Sequence, residues 1–328
     1  MCLSAFVAKQ KIVPQWQKNK NADKEEKAKK KDIKSCFLLL SSTKNLKKMK
    51  TYIDVGINLT NKQFQNDIDD VVQDAVDADV TQMILTGTSV RNSEESAKIA
   101  RQYPGMLYAT AGIHPHDAKS FDNQSIAKLR KLLEQKQVVS VGECGLDFDR
   151  DFSPRNKQEE CYRAQLELAI EVQKPLFLHE RAAFSSFMNI TKDYLPKLPK
   201  AVVHCFTGTL PEAKTYLDNG FYLGFTGAIS DSKRFAHLKE VIQYVPLDKM
   251  MIETDAPFML PKNVPDSLLK KYHERRCEPV FLPYVAGTIA QFKGIALDKV
   301  AEETTRNAKA FFWDLATKPQ SHKVCYFD

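Results

Sequence analysis

Short apolar runs in this chain stop repeatedly at a carboxylate, an amide or an imidazole. Tyr52-Ile53 is followed by Asp54, and Val55–Ile57 by Asn58. Ala109–Ile113 is followed by His114, Pro115 and His116, Val138–Gly142 by Glu143, Leu176–Leu178 by His179, and Ala201–Val203 by His204. Met250–Ile252 runs into Glu253, Thr254 and Asp255. Any one histidine at such a place reads as a hydrogen-bonded structural residue. The joint pattern reads differently. His114, His116, His179 and His204 are four of the chain's seven histidines, and with the neighbouring carboxylates they make a mixed nitrogen and oxygen donor set suited to a divalent metal. His237, His273 and His322 fall in a helix, a loop and the tail and read as solvated. Nucleophilic catalysis has less support. Cys144 and Cys205 adjoin the donors, but neighbours in a strand point to opposite faces. No G-x-S-x-G elbow occurs.

For these donors to meet, the runs that carry them must be parallel strands whose C-terminal ends share one side. The rest of the chain from residue 51 supplies the elements for that. Strand-like runs at Thr51–Asn58, Val80–Leu85, Met106–Ile113, Val138–Gly142, Leu176–Leu178, Ala201–Val203, Phe221–Phe225 and Met250–Ile252 are continuous rather than alternating in hydrophobicity. Strands buried on both faces have that pattern. Between them, helical spacing predicts helices over Asn66–Ala78, Ser89–Gln102, Asn123–Gln135, Asn156–Val172, Ala182–Asp193, Pro211–Asp218 and Lys233–Tyr244. Ser89 or Asn92 is a candidate N-cap, and Pro211 suits a helix start. After a long loop, Tyr284–Phe292 and Leu297–Phe312 read as closing helices. Strand-then-helix units over about 260 residues fit an α/β fold of the (β/α)8 TIM-barrel type, in which strand ends open onto one catalytic mouth. The rival is a doubly wound open sheet. No G-x-G-x-x-G or G-x-x-x-x-G-K-[ST] loop follows any strand, which removes the commonest reason to prefer it.

Composition agrees with a folded domain and adds an appendage. The 328 residues are 43% apolar and 27% charged, ordinary for a globular chain. Residues 1–50 hold 14 lysines against four acids, a net of +10, so the remainder carries −3 of the overall +7. The basic balance belongs to a tail, and net charge gives no support for nucleic-acid binding by the body. Residues 1–49 read as a disordered, Lys-rich extension, 50–316 as the barrel and 317–328 as a C-terminal tail. The lysine tracts suit a nuclear address or a polyanion tether, and Met49 stands directly before the first strand. The longest clean apolar run, Cys36–Leu40, falls far short of the roughly 20 residues of a membrane span. The seven cysteines, at 2, 36, 144, 161, 205, 277 and 325, form no C-x-x-C pair. Reduced thiols in an intracellular setting, nucleus or cytoplasm, follow. Deleting residues 1–48 is expected to leave the melting temperature unchanged, because the segment has no apolar face to bury. Its lysines would show instead as salt-sensitive DNA affinity. Loss of soluble, folded protein on deletion would show that the segment packs on the barrel.

Six pieces occur in order: Tyr52-Ile53-Asp54-Val55-Gly56-Ile57-Asn58-Leu59-Thr60, Gly112-Ile113-His114-Pro115-His116, Gly142-Glu143-Cys144-Gly145-Leu146-Asp147, Leu178-His179-Glu180-Arg181, Val203-His204-Cys205-Phe206-Thr207-Gly208 and Glu253-Thr254-Asp255-Ala256-Pro257. Together they resemble the TatD family of metal-dependent deoxyribonucleases over about residues 51–315. The stretch from Gly142 to Arg150 resembles the eukaryotic TatD-domain-containing branch. The resemblance implies a barrel with two divalent ions, Glu143 bridging them, and His179 and His204 as imidazole ligands. It implies Asp255 as a ligand that also accepts the proton of the attacking water, and His114 as a substrate-side histidine. Many members carry His-x-His where this chain has Gly56 and Asn58. Asp54 and Asn58 would then form a weaker first-strand site, and restoring both histidines would tighten it if Gly56 tolerates a side chain.

Phosphodiester hydrolysis suits such a set, since a bound cation acidifies its water and a nearby carboxylate takes the proton. The donors fit Zn²⁺ or Mn²⁺, while the resemblance points to Mg²⁺. Arg181, two residues past His179, is placed to clamp a phosphate if the strand continues, or else to pair with Asp147 or Glu180. DNA is the expected partner, with no membrane and no organic cofactor. Two other classes compete. A barrel hydrolase acting on C–N bonds would use His-x-His and a carboxylated lysine, and no lysine stands at a strand end. A non-catalytic nucleic-acid-binding scaffold would have no use for Glu143, His179, His204 and Asp255.

Overall fold

The computed structural model describes residues 50–272 and 275–314. The extension at 1–49, the tail at 317–328, His273 and His322 lie outside the described residues. Eight strands, β1 (Tyr52–Ile57), β2 (Val80–Leu85), β3 (Leu107–Ala111), β4 (Val138–Asp147), β5 (Leu176–Arg181), β6 (Ala201–Val203), β7 (Tyr222–Phe225) and β8 (Met250–Ile252), form one parallel sheet in chain order. The sheet nearly closes. Ile57 bridges Ala256 in parallel, the Asn58 N–H donates to the Ala256 carbonyl at 2.8 Å, and the Asp255 N–H to the Gly56 carbonyl at 2.8 Å. Ten α-helices accompany the strands among the described residues. They are α1 (Ile68–Asp77), α2 (Val90–Gln102), α3 (Asn123–Leu133), α4 (Arg155–Val172), α5 (Phe184–Thr191), α6 (Leu210–Asp218), α7 (Leu238–Tyr244), α8 (Asp266–Lys271), α9 (Leu282–Lys293) and α10 (Leu297–Phe312). The chain therefore folds as the expected (β/α)8 barrel.

Local sequence explains the helix starts. Ser89 caps α2 by accepting from the Asn92 N–H, and reciprocal capping pairs start α3 (Asp122 with Ser125) and α6 (Thr209 with Glu212). Elsewhere the structure departs from the sequence expectation. A helix was expected from Lys233, yet α7 begins at Leu238. Asp231 Oδ1 accepts from the Lys233 and Arg234 N–H groups, so turns take those donors first. Part of the expected long loop is α8. Strands β4 and β5 pass their expected ends at Gly142 and Leu178, because pairing resumes beyond the donors, Gly145 against His179 and Asp147 against Arg181.

Two apolar layers hold the barrel. The larger lies between sheet and helices. The smaller fills the interior with Ile53, Val55, Ile84, Val139, Phe177, Val202 and Met251, joined by Phe311 and Phe312 of α10. That helix seats against the N-terminal strand ends. Thr305 Oγ1 donates to the Thr51 carbonyl at 2.7 Å and Asn307 Nδ2 to the Met250 carbonyl at 2.8 Å. Burying one such phenylalanine contributes about 1.5–3 kcal/mol. The lower end of the barrel is packed shut, and the polar strand ends open at the other.

Candidate metal centre

Glu143 is the hub, and a break in pairing puts it there. Between Gly142, opposite Phe177, and Cys144, opposite Leu178, the β4–β5 register slips by one residue, so Glu143 bulges out of the ladder. Bulges bend a strand and re-aim a side chain. Gly142 makes this one feasible: its φ is +130°, and a Cβ there would overlap the Phe177 carbonyl oxygen. The Glu143 N–H donates to the Gly87 carbonyl at 2.8 Å, tying the bulge to the end of β2. Its Oε1 lies 2.6 Å from His204 Nε2, 2.8 Å from His179 Nδ1 and 3.3 Å from His114 Nε2. His114 Nε2 and His179 Nδ1 are 3.2 Å apart. Three imidazoles from β3, β5 and β6 thus converge on one carboxylate. His114, implied to be a substrate-side residue, sits inside this cluster, and His114, Glu143 and His179 offer atoms close enough to share one cation.

Behind the cluster stand carboxylates that sequence reasoning left unassigned. Asp147 Oδ2 is 3.5 Å from His179 Nε2 and 2.7 Å from His116 Nε2, while its Oδ1 accepts from the Asp149 and Arg150 N–H groups. Glu253 Oε2 is 3.6 Å from His204 Nδ1, and Glu253 Oε1 accepts from the Cys205 N–H. Each of the two histidines therefore has Glu143 on one ring nitrogen and a second carboxylate facing the other. Such outer carboxylates fix the ring and the tautomer of a metal-binding imidazole.

Glu253 also explains the departure on the first strand. It is fully buried, and it lies in the space beside Gly56 and Gly224. A Cβ at position 56 would overlap Glu253 Oε2 and come within 3.1 Å of Phe177 Cζ. Gly56 is not an emptied ligand position but the room for Glu253, so restoring a histidine there would collide rather than repair. Asn58 Nδ2 donates to Asp255 Oδ1 at 3.0 Å, which places Asn58 as a support for Asp255. Asp54 is not brought into the cluster. Its neighbours Ile53 and Val55 face the barrel interior, and its own oxygens accept from the Thr254 N–H at 2.9 Å and the Thr254 hydroxyl at 2.5 Å. It pins β1 to the segment that carries Asp255.

The electrostatics are those of a centre short of positive charge. Burial alone would raise the Glu143 carboxyl, but the charge on His204 and hydrogen bonds from the neighbouring imidazoles hold it well below the usual range. Burial would lower His204, yet Glu143 and Glu253 outweigh it and hold His204 well above the ordinary imidazole value. Burial pushes Asp255 up to about 7, with repulsion from Glu143 and Glu253 adding to it against the pull of His204. Burial pushes His114 down to about 4. His179 Nε2, His204 Nδ1 and Glu253 Oε2 are buried without a hydrogen-bond partner. Buried polar atoms left so are costly. The imidazole nitrogens that gather on Glu143, backed by further buried carboxyls, fit a divalent cation.

Arg181 continues β5 as expected, but its partner is Asp149, at 2.8 Å, with both side chains nearly half exposed. Neither Asp147 nor Glu180 takes it. Glu180 instead accepts from the Ala183 N–H and the Tyr216 hydroxyl. Cys144 is buried away from the mouth, while Cys205 Sγ lies 3.7 Å from Thr226 Oγ1. His237 is exposed and sits just before α7 rather than in a helix. Among the described residues, no single helix is long and apolar enough to cross a membrane.

Known proteins share this arrangement of sequence and fold. The TatD related DNase family matches residues 53–313. The 3'-5' ssDNA/RNA exonuclease TatD of Erwinia tasmaniensis is 42% identical over 259 residues, covering 79% of this chain and 98% of that protein. The protein of the same name from Escherichia coli K12 is also 42% identical over the same length. The crystal structure of a TatD homologue from Escherichia coli K12 superposes with a TM-score of 0.72 at 26% identity, covering 80% of this chain and 97% of the other. A TatD family hydrolase from Entamoeba histolytica gives the same TM-score and identity, with 98% of its chain covered.

Proposed function

The chain belongs to the TatD related DNase family, and from that premise we propose that it is a metal-dependent nuclease hydrolysing phosphodiester bonds in single-stranded DNA. The observation that carries the reading is the convergence of His114, His179 and His204 on Glu143 at the mouth of a barrel whose other end is packed shut. The relatives named for single-stranded DNA and RNA, aligned over nearly their whole length, support the substrate class.

We propose that the centre takes two divalent ions, Mg²⁺, Mn²⁺ or Zn²⁺, and that Glu143 would be the carboxylate that holds them. His114, His179 and His204 would be the nitrogen donors, and Asp255 an oxygen donor. When bound, such ions supply positive charge against the phosphoryl oxygens and acidify the attacking water. The chain's own groups do the rest. Asp147 and Glu253 hold the rings of His179 and His204 from behind. Asp255, oriented by Asn58, accepts the proton that the water loses as its oxygen bonds to phosphorus and the ester P–O bond breaks. Arg181, at the rim, can exchange Asp149 for a phosphate oxygen. We place the protein inside the cell, in nucleus or cytoplasm, on its pattern of unpaired cysteines.

The test is hydrolysis of labelled single-stranded DNA and RNA before and after chelation, with Mg²⁺, Mn²⁺ and Zn²⁺ added back. Chelation is expected to abolish cleavage and re-addition to restore it. Undiminished cleavage by protein shown to be metal-free would overturn the reading. So would a lack of cleavage with every ion, whether or not cyclic amides were hydrolysed instead.

A further inference from the structure

Among the described residues two phenylalanines are strongly exposed, Phe152 at 57% and Phe258 at 51%, and both stand on loops that leave the catalytic end of the barrel. Phe152 follows β4, and Phe258 follows β8, three residues beyond Asp255. In a closing sheet of eight strands in chain order, β4 and β8 are four strands apart, on opposite sides of the mouth. The centre built on Glu143 lies between them. A single exposed apolar side chain needs no explanation. Two exposed rings on loops that flank one active mouth from opposite sides, both on ordered backbone, do.

Neither ring is on a loose loop. Around Phe152, Ser153 Oγ donates to the His116 carbonyl at 2.8 Å, and Gln158 Nε2 donates to the Ser153 carbonyl at 2.9 Å. Its ring packs edge-on against the imidazole of His116, with centroids 4.7 Å apart, and His116 in turn meets Asp147 and His114. Phe152 is thus one side chain removed from the metal donors. Around Phe258, its N–H donates to the Asp255 carbonyl at 3.0 Å, and the Cys277 N–H donates to the Pro257 carbonyl at 3.0 Å. The residues that anchor these loops are neighbours of the candidate metal donors.

We propose that Phe152 and Phe258 are two stacking platforms for the unpaired bases on either side of the scissile phosphate. This proposal rests on the nuclease reading and adds what recognises the substrate. A phosphate drawn to the Glu143 centre leaves its flanking bases over the rim, where each phenylalanine offers an exposed aromatic face. Bases in a duplex are already stacked on their neighbours, so only an unpaired strand can use both rings. Stacking accepts every base, because each has a π-face, and each base stacked on an aromatic side chain contributes about 1–3 kcal/mol. Standing after β4 and β8, four strands apart, the two platforms are expected to contribute additively.

The experiment measures binding of a short labelled single strand with a non-hydrolysable linkage at the scissile position, by fluorescence anisotropy with divalent ion present, and steady-state cleavage of the ordinary strand under the same conditions. Phe152→Ala and Phe258→Ala are each expected to raise Kd about tenfold, the double variant about a hundredfold, and Phe→Trp at either position to restore binding. The slope of log Kd against log salt should stay the same, since no phosphate contact is lost. A strand with abasic residues flanking the scissile bond should bind wild type and both Ala variants alike. In cleavage the loss should fall on KM, with kcat within about twofold of wild type. Ala variants that bind the intact strand as tightly as wild type would overturn the platforms. So would equal losses on intact and abasic strands. Either result, in protein that still cleaves DNA, leaves the nuclease reading standing. A wild type that cleaves no strand with any ion defeats that reading, and the platforms with it.

Discussion

Glu143→Gln is expected to lower hydrolysis by about 10³-fold or more while the protein stays folded. Glu143 Oε1 is the one atom that meets all three imidazoles. A neutral amide of the same size keeps a hydrogen-bond acceptor there but brings no negative charge to hold two cations at short distance. A metal ion contributes several kcal/mol of charge stabilisation in the transition state, and each 1.36 kcal/mol is tenfold in rate. The burial cost of the carboxylate disappears together with its attraction to His204, so the two changes offset each other in the folded state. The checks are turnover on single-stranded DNA, bound metal by elemental analysis and melting temperature. Near-normal turnover with an unchanged melting temperature would remove Glu143 from the centre.

Gly56→Ala should do harm through a different cause. Its Cβ would enter the space of Glu253 Oε2, whose carboxylate is fully buried between Gly56, Gly224 and His204. Overpacking of this kind costs about 1–3 kcal/mol, which in a domain of this size lowers the melting temperature by several degrees. Glu253→Ala in the same chain removes the clash, so the double variant should melt higher than Gly56→Ala alone. Its metal affinity should still fall about 10–100-fold, because His204 has lost the carboxylate that fixes its ring. A strictly additive cycle would show that positions 56 and 253 do not meet. Unchanged metal affinity would show that Glu253 does not hold His204.

These two positions show where sequence reasoning succeeds and where it stops. Glu143, His179 and His204 were legible because each ends an apolar run too short and too continuous to be anything but a buried strand, and strands of one barrel end at one mouth. Order along the chain was enough. Glu253 was hidden in plain view. It stands beside Asp255 at the end of the last strand, and nothing in a linear sequence says that its carboxylate reaches across to the Gly56 of the first. For the same reason Gly56 read as a missing ligand, since a vacancy and a space reserved for another side chain are both written as glycine. Asp54 read as a donor because it follows an apolar pair. The alternation of Ile53 and Val55 turns it to the other face, where Thr254 takes both its oxygens. Arg181 found Asp149 rather than Asp147 or Glu180 because the β4–α4 loop, not strand spacing, decides what stands opposite it. Phe152 and Phe258 left no signal, since exposure is a property of the folded surface.

The seating of α10 across the N-terminal strand ends has a consequence for how the molecule is made. Phe311 and Phe312 belong to the same interior layer as Ile53, Val55, Ile84 and Met251. The first strand must also bridge to Ala256, roughly 200 residues later in the chain. During synthesis, therefore, the early strands emerge before Met251, Phe311 and Phe312 exist to complete the layer they share with Val139, Phe177 and Val202. The interior layer and the seam between β1 and β8 are complete only once β8 and α10 have been made. Contacts between such distant segments form slowly, and half-made sheets with bare edges are prone to associate. A nascent chain stalled before residue 297 should be an unfolded client of chaperones and proteases rather than a smaller working enzyme.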